Sequence, residues 1–370
     1  MTLRLGLLGG GQLGRMLALS ARNLGFEVIV LEPNPEAPAR AAARQLQKAY
    51  DDNDALRELA ACDFVTFEFE NIPEAAAKAL NQPGQFAPPV SALLVSQDRW
   101  VEKNTFQKLG IPTPAFLKVD SLEDAQDAFK RLGPLVLKTR KFGYDGKGQA
   151  VVRSAQNLSE AYMQLNGAPA IAEELVPFER EISVITCRGR DGQTVVYPVT
   201  ENIHKKGVLH KSLAPAPGLS PVLVAEAQDM AQRLVDHFNY VGVLALELFQ
   251  VDGTLKANEF APRVHNSGHW TMEGAVTSQF ENHVRAVCDL PLGCADLRAP
   301  SVMLNLIGEI PPRTQLLSIT DAHLHDYAKP ARPGRKVGHL TCLGATLKEA
   351  SERAALAETA IKGENSVSTE

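Results

Sequence analysis

Val241-Gly242-Val243-Leu244-Ala245-Leu246-Glu247-Leu248-Phe249 is an almost wholly apolar run carrying one carboxylate. After a turn at Asp252-Gly253 the chain returns as Leu255-Lys256-Ala257-Asn258-Glu259-Phe260 and continues Ala261-Pro262-Arg263-Val264-His265-Asn266-Ser267-Gly268-His269-Trp270. Two strand-like runs joined by Asp-Gly predict a β-hairpin. That hairpin sets Glu247 and Glu259 on neighbouring strands, near enough to share a divalent cation. Oxygen donors suit Mg²⁺, with Mn²⁺ as an alternative, and Mg²⁺ in such sites commonly also binds phosphate oxygens. Arg263, His265 and Asn266 follow at once and are expected to face the same ion.

The rest of the chain gives this hairpin an ordinary setting. With 370 residues, 45% hydrophobic and 22% charged, it has the composition of a globular protein of two or three domains. A formal net charge of -5 supplies no pull toward nucleic acid or an anionic membrane surface, so anionic ligands need local basic clusters. Cys62, Cys187, Cys288, Cys294 and Cys342 show no CxxC spacing and no zinc pattern, which fits reduced thiols and a cytoplasmic location. No apolar run is long enough to span a bilayer, and the N-terminus lacks a signal-peptide pattern.

Residues 1–98 alternate strand and helix, with strands at Leu3–Leu8, Glu27–Leu31 and Asp63–Phe67 and a helix at Leu13–Leu24. This predicts an open parallel sheet of Rossmann-like α/β type. Asp98–Leu109 reads as a connecting helix, stopped by Gly110 and the prolines beyond it. A mixed, α+β region is expected over 99–297, with a lid at about 115–175, then a small β-rich module over 298–362 and a disordered tail over 363–370.

Four further motifs carry chemistry. Gly9-Gly10-Gly11-Gln12-Leu13-Gly14 satisfies G-x-G-x-x-G between a strand and a helix, with Glu32 at the end of the next strand. It suits a dinucleotide, a plain phosphate, or a tight turn with no ligand. Lys138 precedes a basic glycine loop, Phe142-Gly143-Tyr144-Asp145-Gly146-Lys147-Gly148-Gln149, able to close over phosphates yet unlike a Walker loop. Glu173-Glu174-Leu175-Val176 closes an apolar strand, and Glu181 and His204 follow; a strand edge there can meet a purine while a carboxylate meets a ribose, or it is a solvated acidic face. Glu68 and Glu70 lie at the C-terminal end of a parallel strand, where α/β folds bind ligands. Late in the chain Lys329, Arg332, Arg335 and Lys336 make a compact cationic cluster suited to a phosphomonoester, or a solvated charge run.

Together these elements resemble the ATP-grasp superfamily, and within it the carboxylase family that makes N5-carboxyaminoimidazole ribonucleotide. The resemblance rests on Gly9–Met16, Phe67–Asn71, Gln97–Arg99, Gly143–Gln149, Asn258–Trp270 and Arg332–His339, in the family's order. It implies an ATP-grasp fold with a pre-ATP-grasp N-terminal domain, a homodimer, and an ATP-dependent ligase of purine biosynthesis. The implied reaction takes ATP, bicarbonate and 5-aminoimidazole ribonucleotide to the N5-carboxylated ribonucleotide, ADP and phosphate, through carboxyphosphate. In that scheme Mg²⁺ sits on Glu247 and Glu259.

ATP is then held by Arg99, Lys138, the loop from Gly143 through Tyr144, Asp145, Gly146, Lys147 and Gly148 to Gln149, the strand end Glu173, Glu174, Leu175 and Val176, and by Glu181, His204, Asn258 and Glu259. Arg263, His265 and Asn266 face bicarbonate and the transferred carboxylate, and Tyr144 and Asp145 reach the same centre. The ribonucleotide lies among Gln12, Leu13, Lys329, Arg332, Arg335 and Lys336, with Glu68 on its ribose or amine. Rival readings are a formate-dependent glycinamide ribonucleotide transformylase, an NAD-dependent dehydrogenase resting on the opening glycines, and a non-catalytic nucleotide sensor.

Overall fold

The protein is described by a computed structural model that covers residues 2–143 and 148–365. Three sheets organise it. The first is parallel, in the order β3 (Arg44–Leu46), β2 (Glu27–Leu31), β1 (Arg4–Leu8), β4 (Phe64–Phe67). Its central strands are buried almost throughout, as a parallel sheet covered on both faces requires. The helix Gln12–Asn23 follows β1 directly.

The second sheet is antiparallel, with β5 (Phe116–Val119), β8 (Ala170–Glu174), β6 (Leu135–Thr139) and β7 (Gln149–Val152) side by side in that order. It occupies the stretch expected to form a lid.

The third and largest sheet has nine strands. β14 (Thr254–Ala261) lies at one edge, followed by β13 (Gly242–Val251), β9 (Arg180–Arg188), β11 (Thr200–Lys205), β12 (Val208–Ala214), β15 (Ser301–Ile307), β17 (Lys336–Leu343) and β16 (Ala322–Asp326); β10 (Thr194–Val196) pairs off this path with β9. The β-rich C-terminal strands therefore continue the same sheet, since β15 pairs with β12 from Ala214↔Ser301 to Lys211↔Leu304. The last helix runs Leu347–Asn365 and takes in the start of the stretch expected to be a tail; residues 366–370 lie outside the described residues.

The predicted hairpin is β13 and β14, in antiparallel register from Val251↔Thr254 to Ala245↔Ala261. Asp252 (φ 47°) and Gly253 (φ 71°) both have positive φ, the backbone that a two-residue hairpin turn matched to strand twist needs. Alternation along β13 then positions the site. Leu244, Leu246 and Leu248 point to one face and bury against the helix Pro221–His237, each worth roughly 1.5–3 kcal/mol on full burial. On the other face Val243 and Ala245 pack with Phe280 and Val284 of the helix Gln279–Val287. That cover stops before Glu247 and Phe249, which open into a cleft.

Candidate active site

The cleft has a volume of about 790 Å³ and is lined by Gln12 and Glu70 beside the first sheet, by Val136 and Lys138 of the second, and by Glu247, Phe249 and Glu259 of the third. Glu247 and Glu259 are register partners on its floor. A slip in the register just beyond Glu247 lets Asn258 bulge out of the ladder and line the cleft. Glu259 accepts a 2.6 Å hydrogen bond from Arg99, and Glu247 lies 3.0 Å from Nε2 of His265. Two carboxylates side by side offer oxygen donors that fit a hard cation such as Mg²⁺. Glu247 also belongs to a second group, with Glu181 and His204, whose ligating atoms all fall within 4.8 Å.

Arg99 is placed by helix geometry. It opens the helix Arg99–Lys108, whose N-terminus Asp98 caps by accepting from Trp100 N and Val101 N. Asp98 also takes both Nε (3.1 Å) and NH2 (2.6 Å) of Arg140, a bidentate pair that ties the end of β6 to this helix.

Lys138 reaches Glu173 at 3.0 Å and Asn258 Oδ1 at 3.3 Å. Behind it Lys103, fully buried, meets Glu173 at 3.3 Å and the carbonyl of Ala257 at 3.2 Å. Burial alone would raise the pKa of Glu173, but Lys103 and Lys138 outweigh it and hold the carboxyl at about 2. Glu102 accepts from Phe260 N at 2.7 Å, and burial beside Glu259 pushes its carboxyl up. Arg99 and Lys138 bring two cationic side chains into the cleft here, beside the buried ion pair of Lys103 and Glu173, as polyphosphate binding asks. The side chain of Glu173, a residue expected at the adenine or ribose, turns inward to the ion cluster, neighbouring residues of a strand pointing to opposite faces. Glu174 turns outward, toward Lys256 at 3.5 Å.

Leu175, Glu181 and His204 line the cleft near Phe178 and Phe249, whose rings stack 4.7 Å apart, while Val176 is buried behind. Glu181 lies 3.1 Å from Nδ1 of His204; burial disfavours the imidazolium, yet Glu181 prevails and raises the pKa of His204. Gly143 and Gln149 border the cleft from above. Gly148 takes φ 71°, and a Cβ there would stand 2.6 Å from Thr139 Oγ1, so glycine is required. Tyr144, Asp145, Gly146 and Lys147 lie outside the described residues.

At the far end Arg263 donates from Nε to Glu70 at 2.5 Å and from NH1 to the carbonyl of Val264. Burial would raise Glu70, but Arg263 outweighs it and holds its pKa low. His265 binds Ser267 through Nδ1. Asn266 exchanges both amide hydrogen bonds with Asn305 of β15, at 3.0 and 2.7 Å, which fastens this loop to the C-terminal strands.

The glycine turn is not an open anion cradle. Gly11 N and Gly14 N donate to Glu68 at 2.6 and 2.8 Å, and Gly10 N donates to Glu32 at 2.9 Å. Tyr50 and Asn34 N also donate to Glu32. The helix N-terminus thus holds carboxylates of its own chain where a dinucleotide would place its pyrophosphate. Glu68, expected on a ribose or amine, spends both oxygens on this turn while still lining the cleft, and burial pushes its carboxyl up. Lys329 hydrogen-bonds Gln12 and so joins the cationic loop to the first sheet. Lys336 and Leu13 line the cleft; Arg332 is exposed, and Arg335 reaches back to the carbonyl of Pro330, so neither lines it.

Glu102, Lys103 and Arg140 went unnoticed in the sequence, because in a helix or at a strand end each reads as a solvated charge. Their signal, if any, was the cluster of charges on the short segment that leads into the mixed region.

Three family models match the chain: the ribonucleotide synthetase preATP-grasp domain over residues 1–97, the ATP-grasp domain over 104–280, and the phosphoribosylaminoimidazole carboxylase C-terminal domain over 301–353. The N5-carboxyaminoimidazole ribonucleotide synthase of Pseudomonas aeruginosa is 48% identical over 341 residues, covering 92% of this chain and 94% of the relative. That of Aquifex aeolicus is 39% identical over 368 residues, 98% of each chain. Among solved structures, the synthetase from Thermus thermophilus superposes with a TM-score of 0.92 at 49% identity, covering 96% of this chain and 98% of that one. The Aspergillus clavatus enzyme in complex with ADP and 5-aminoimidazole ribonucleotide gives 0.90 at 32% identity, covering 98% and 99%.

Proposed function

The chain belongs to the N5-carboxyaminoimidazole ribonucleotide synthase family of the ATP-grasp superfamily, and from that premise we propose how its residues divide the reaction. It is an ATP-dependent ligase of purine biosynthesis that carboxylates 5-aminoimidazole ribonucleotide. One observation carries the reading of the site: Glu247 and Glu259 face each other across the β13–β14 register at the floor of a cleft whose wall holds Arg99 and Lys138.

The adenine lies against Leu175, Phe249 and Val136, and Glu181 with His204 meets the ribose. Arg99 and Lys138 bind the phosphates, Lys138 turning from Glu173 toward the nucleotide while Lys103 keeps that carboxylate paired. Glu247, Glu259 and Asn258 would hold Mg²⁺, which when bound neutralises charge on the phosphoryl oxygens. Bicarbonate attacks the γ-phosphorus, the bond to the β-phosphate oxygen breaks, and ADP leaves carboxyphosphate behind. The ribonucleotide amine then attacks the carboxyl carbon, phosphate departs, and the amine proton is lost. Phosphoryl transfer of this kind depends chiefly on positioning and neutralisation of charge.

Arg263, oriented by Glu70, together with His265 and Asn266, contacts the bicarbonate and the transferred carboxylate. Tyr144 and Asp145 are assigned to the same centre on the family resemblance alone, and Gly143 and Gln149, which border the cleft, stand where the intermediate needs shielding from water. The ribonucleotide occupies the mouth between Gln12-Leu13 and the loop carrying Lys329, Arg332, Arg335 and Lys336, with Glu68 as its floor. The same reading divides the chain into 1–98, 99–297 and 298–362, makes the enzyme a homodimer and sets it in the cytoplasm. Among the described residues no helix is long and apolar enough to cross a membrane, and all five cysteines are free.

A coupled ADP assay tests the assignment. Turnover requires 5-aminoimidazole ribonucleotide and bicarbonate; turnover with formate and glycinamide ribonucleotide in their place would refute it.

A further inference from the structure

A buried chain of hydrogen bonds crosses the large sheet and ends on His265. Ser212 of β12 donates to Asn202 Oδ1 at 2.8 Å, and Asn202 Nδ2 donates to Ser183 Oγ at 3.0 Å. Ser183 donates to Ser267 Oγ at 2.8 Å, and Ser267 Oγ lies 2.8 Å from His265 Nδ1. Ser183, Ser212 and Ser267 are fully buried and Asn202 is 5% exposed, so water cannot reset the pattern.

Each hydroxyl has one proton to give. Ser183 receives from Asn202 and passes its proton to Ser267, whose oxygen is then an acceptor. The Ser267 proton has one direction left, toward His265 Nδ1. The backbone N–H of Ser267 independently donates to the same Nδ1 at 3.3 Å, and a backbone N–H can only donate. Nδ1 therefore carries a lone pair, and the ring proton sits on Nε2, 3.0 Å from Glu247 Oε1. A proton on Nδ1 would instead set donors against donors in a dry interior.

We propose that Ser267, Ser183 and Asn202 are positioning residues that lock His265 in its Nε2–H tautomer, making it a hydrogen-bond donor at the transfer centre rather than a base for the substrate amine. This rests on the reading that places His265 at that centre. In the resting enzyme Nε2–H holds Glu247. When Glu247 turns to the cation, the same N–H faces the carboxyl or phosphoryl oxygen on which negative charge builds. None of these three residues touches substrate; they act through the ring, as partners beyond the ligands do in metal sites.

The test is long-range ¹H–¹⁵N NMR of the full chain labelled with [¹⁵N]histidine, the His265 signals being assigned by their loss in His265→Asn. The wild type is expected to show a protonated Nε2 and an unprotonated Nδ1. Ser267→Ala and Ser183→Ala remove or misdirect the 2.8 Å hydroxyl donor and leave only the longer backbone N–H, at 3.3 Å, on Nδ1. They are therefore expected to give a mixture of tautomers and a kcat lower by about 10-fold, with KM for ATP unchanged. A purely structural role would lower Tm without moving the tautomer. A wild-type Nδ1–H signal, or a Ser267→Ala enzyme with tautomer and kcat both unchanged, overturns the proposal. Wild-type turnover by His265→Asn overturns instead the placement of His265 at the transfer centre, and the proposal with it.

Discussion

Glu173 and Lys103 form an ion pair at 3.3 Å in which the side chains are 2% and 0% exposed. Lys138, on the cleft side, shares the same carboxylate oxygen. Two ammonium groups on one buried carboxylate leave the inner one committed and the outer one available. Glu173→Gln strands Lys103 without a counter-charge, and leaving one partner of a buried pair unpaired costs roughly 3–5 kcal/mol. Glu174→Gln, next along the strand but facing outward, is expected to cost under about 1 kcal/mol. Urea unfolding of the two variants without nucleotide checks the contrast.

The same carboxylate sets an acid limit. Its folded pKa, at about 2 against an ordinary 4.5, is depressed, so its contribution is fully present above pH 4.5 and is lost as pH falls toward 2. Glu102 has the opposite sign. Its folded pKa is raised, so its contribution is complete below the ordinary carboxyl range and drains away as pH rises above it. Glu102→Gln keeps an acceptor for Phe260 N and removes that titration. The variant is expected to lose less stability than the wild type between pH 5 and pH 8, as read by denaturant midpoints.

Much of this arrangement could be read from the sequence, and the exceptions have physical causes. The β13–β14 hairpin was legible because an almost wholly apolar run met an Asp-Gly turn and a second strand-like run beyond it. The parallel sheet and the helix starting near Arg99 were equally plain. The inward turn of the Glu173 side chain was not legible, because strand alternation says that Glu173 and Glu174 face opposite ways without saying which face is covered. Lys103 and Glu102 sit in a charged helical segment, and their burial comes from β14 packing onto that helix, a tertiary fact with no local signature. The carboxylates occupying the glycine turn, Glu32 and Glu68, lie on other strands, so only the sheet order brings them there.

Arg263 lies with Nε against Glu70 and NH1 on the Val264 carbonyl, which leaves NH2 for an anion. Arg263→Lys retains the charge but loses the planar geometry. Its kcat is expected to fall by on the order of 10²-fold, the scale of removing one donor to a developing charge, with KM for ATP little changed in steady-state assays. Full activity in the lysine variant would remove Arg263 from the transfer centre.

Lys329 and Lys336 bracket the mouth lined by Gln12 and Leu13. A charged hydrogen bond to phosphate is worth about 1.5–3 kcal/mol, so Lys336→Met is expected to raise KM for 5-aminoimidazole ribonucleotide by about 10-fold or more and to leave nucleotide affinity as it was. Isothermal titration with ADP and with the ribonucleotide separates the two effects. Weakened ADP binding with an unchanged ribonucleotide KM would move the cationic loop to the nucleotide end.

Glu247 and Glu259 are proposed to hold the metal–nucleotide that activates bicarbonate for transfer to the ribonucleotide amine. The most direct measurement is ¹³C NMR of the product formed from ¹³C-bicarbonate, ATP, Mg²⁺ and 5-aminoimidazole ribonucleotide, with ADP counted in the same sample. One labelled carboxyl per ADP is expected in the wild type, with label and ADP falling together by on the order of 10²-fold or more in Glu259→Gln. Labelled product forming at the wild-type rate in Glu259→Gln, or ADP released without label in the wild type, would contradict it.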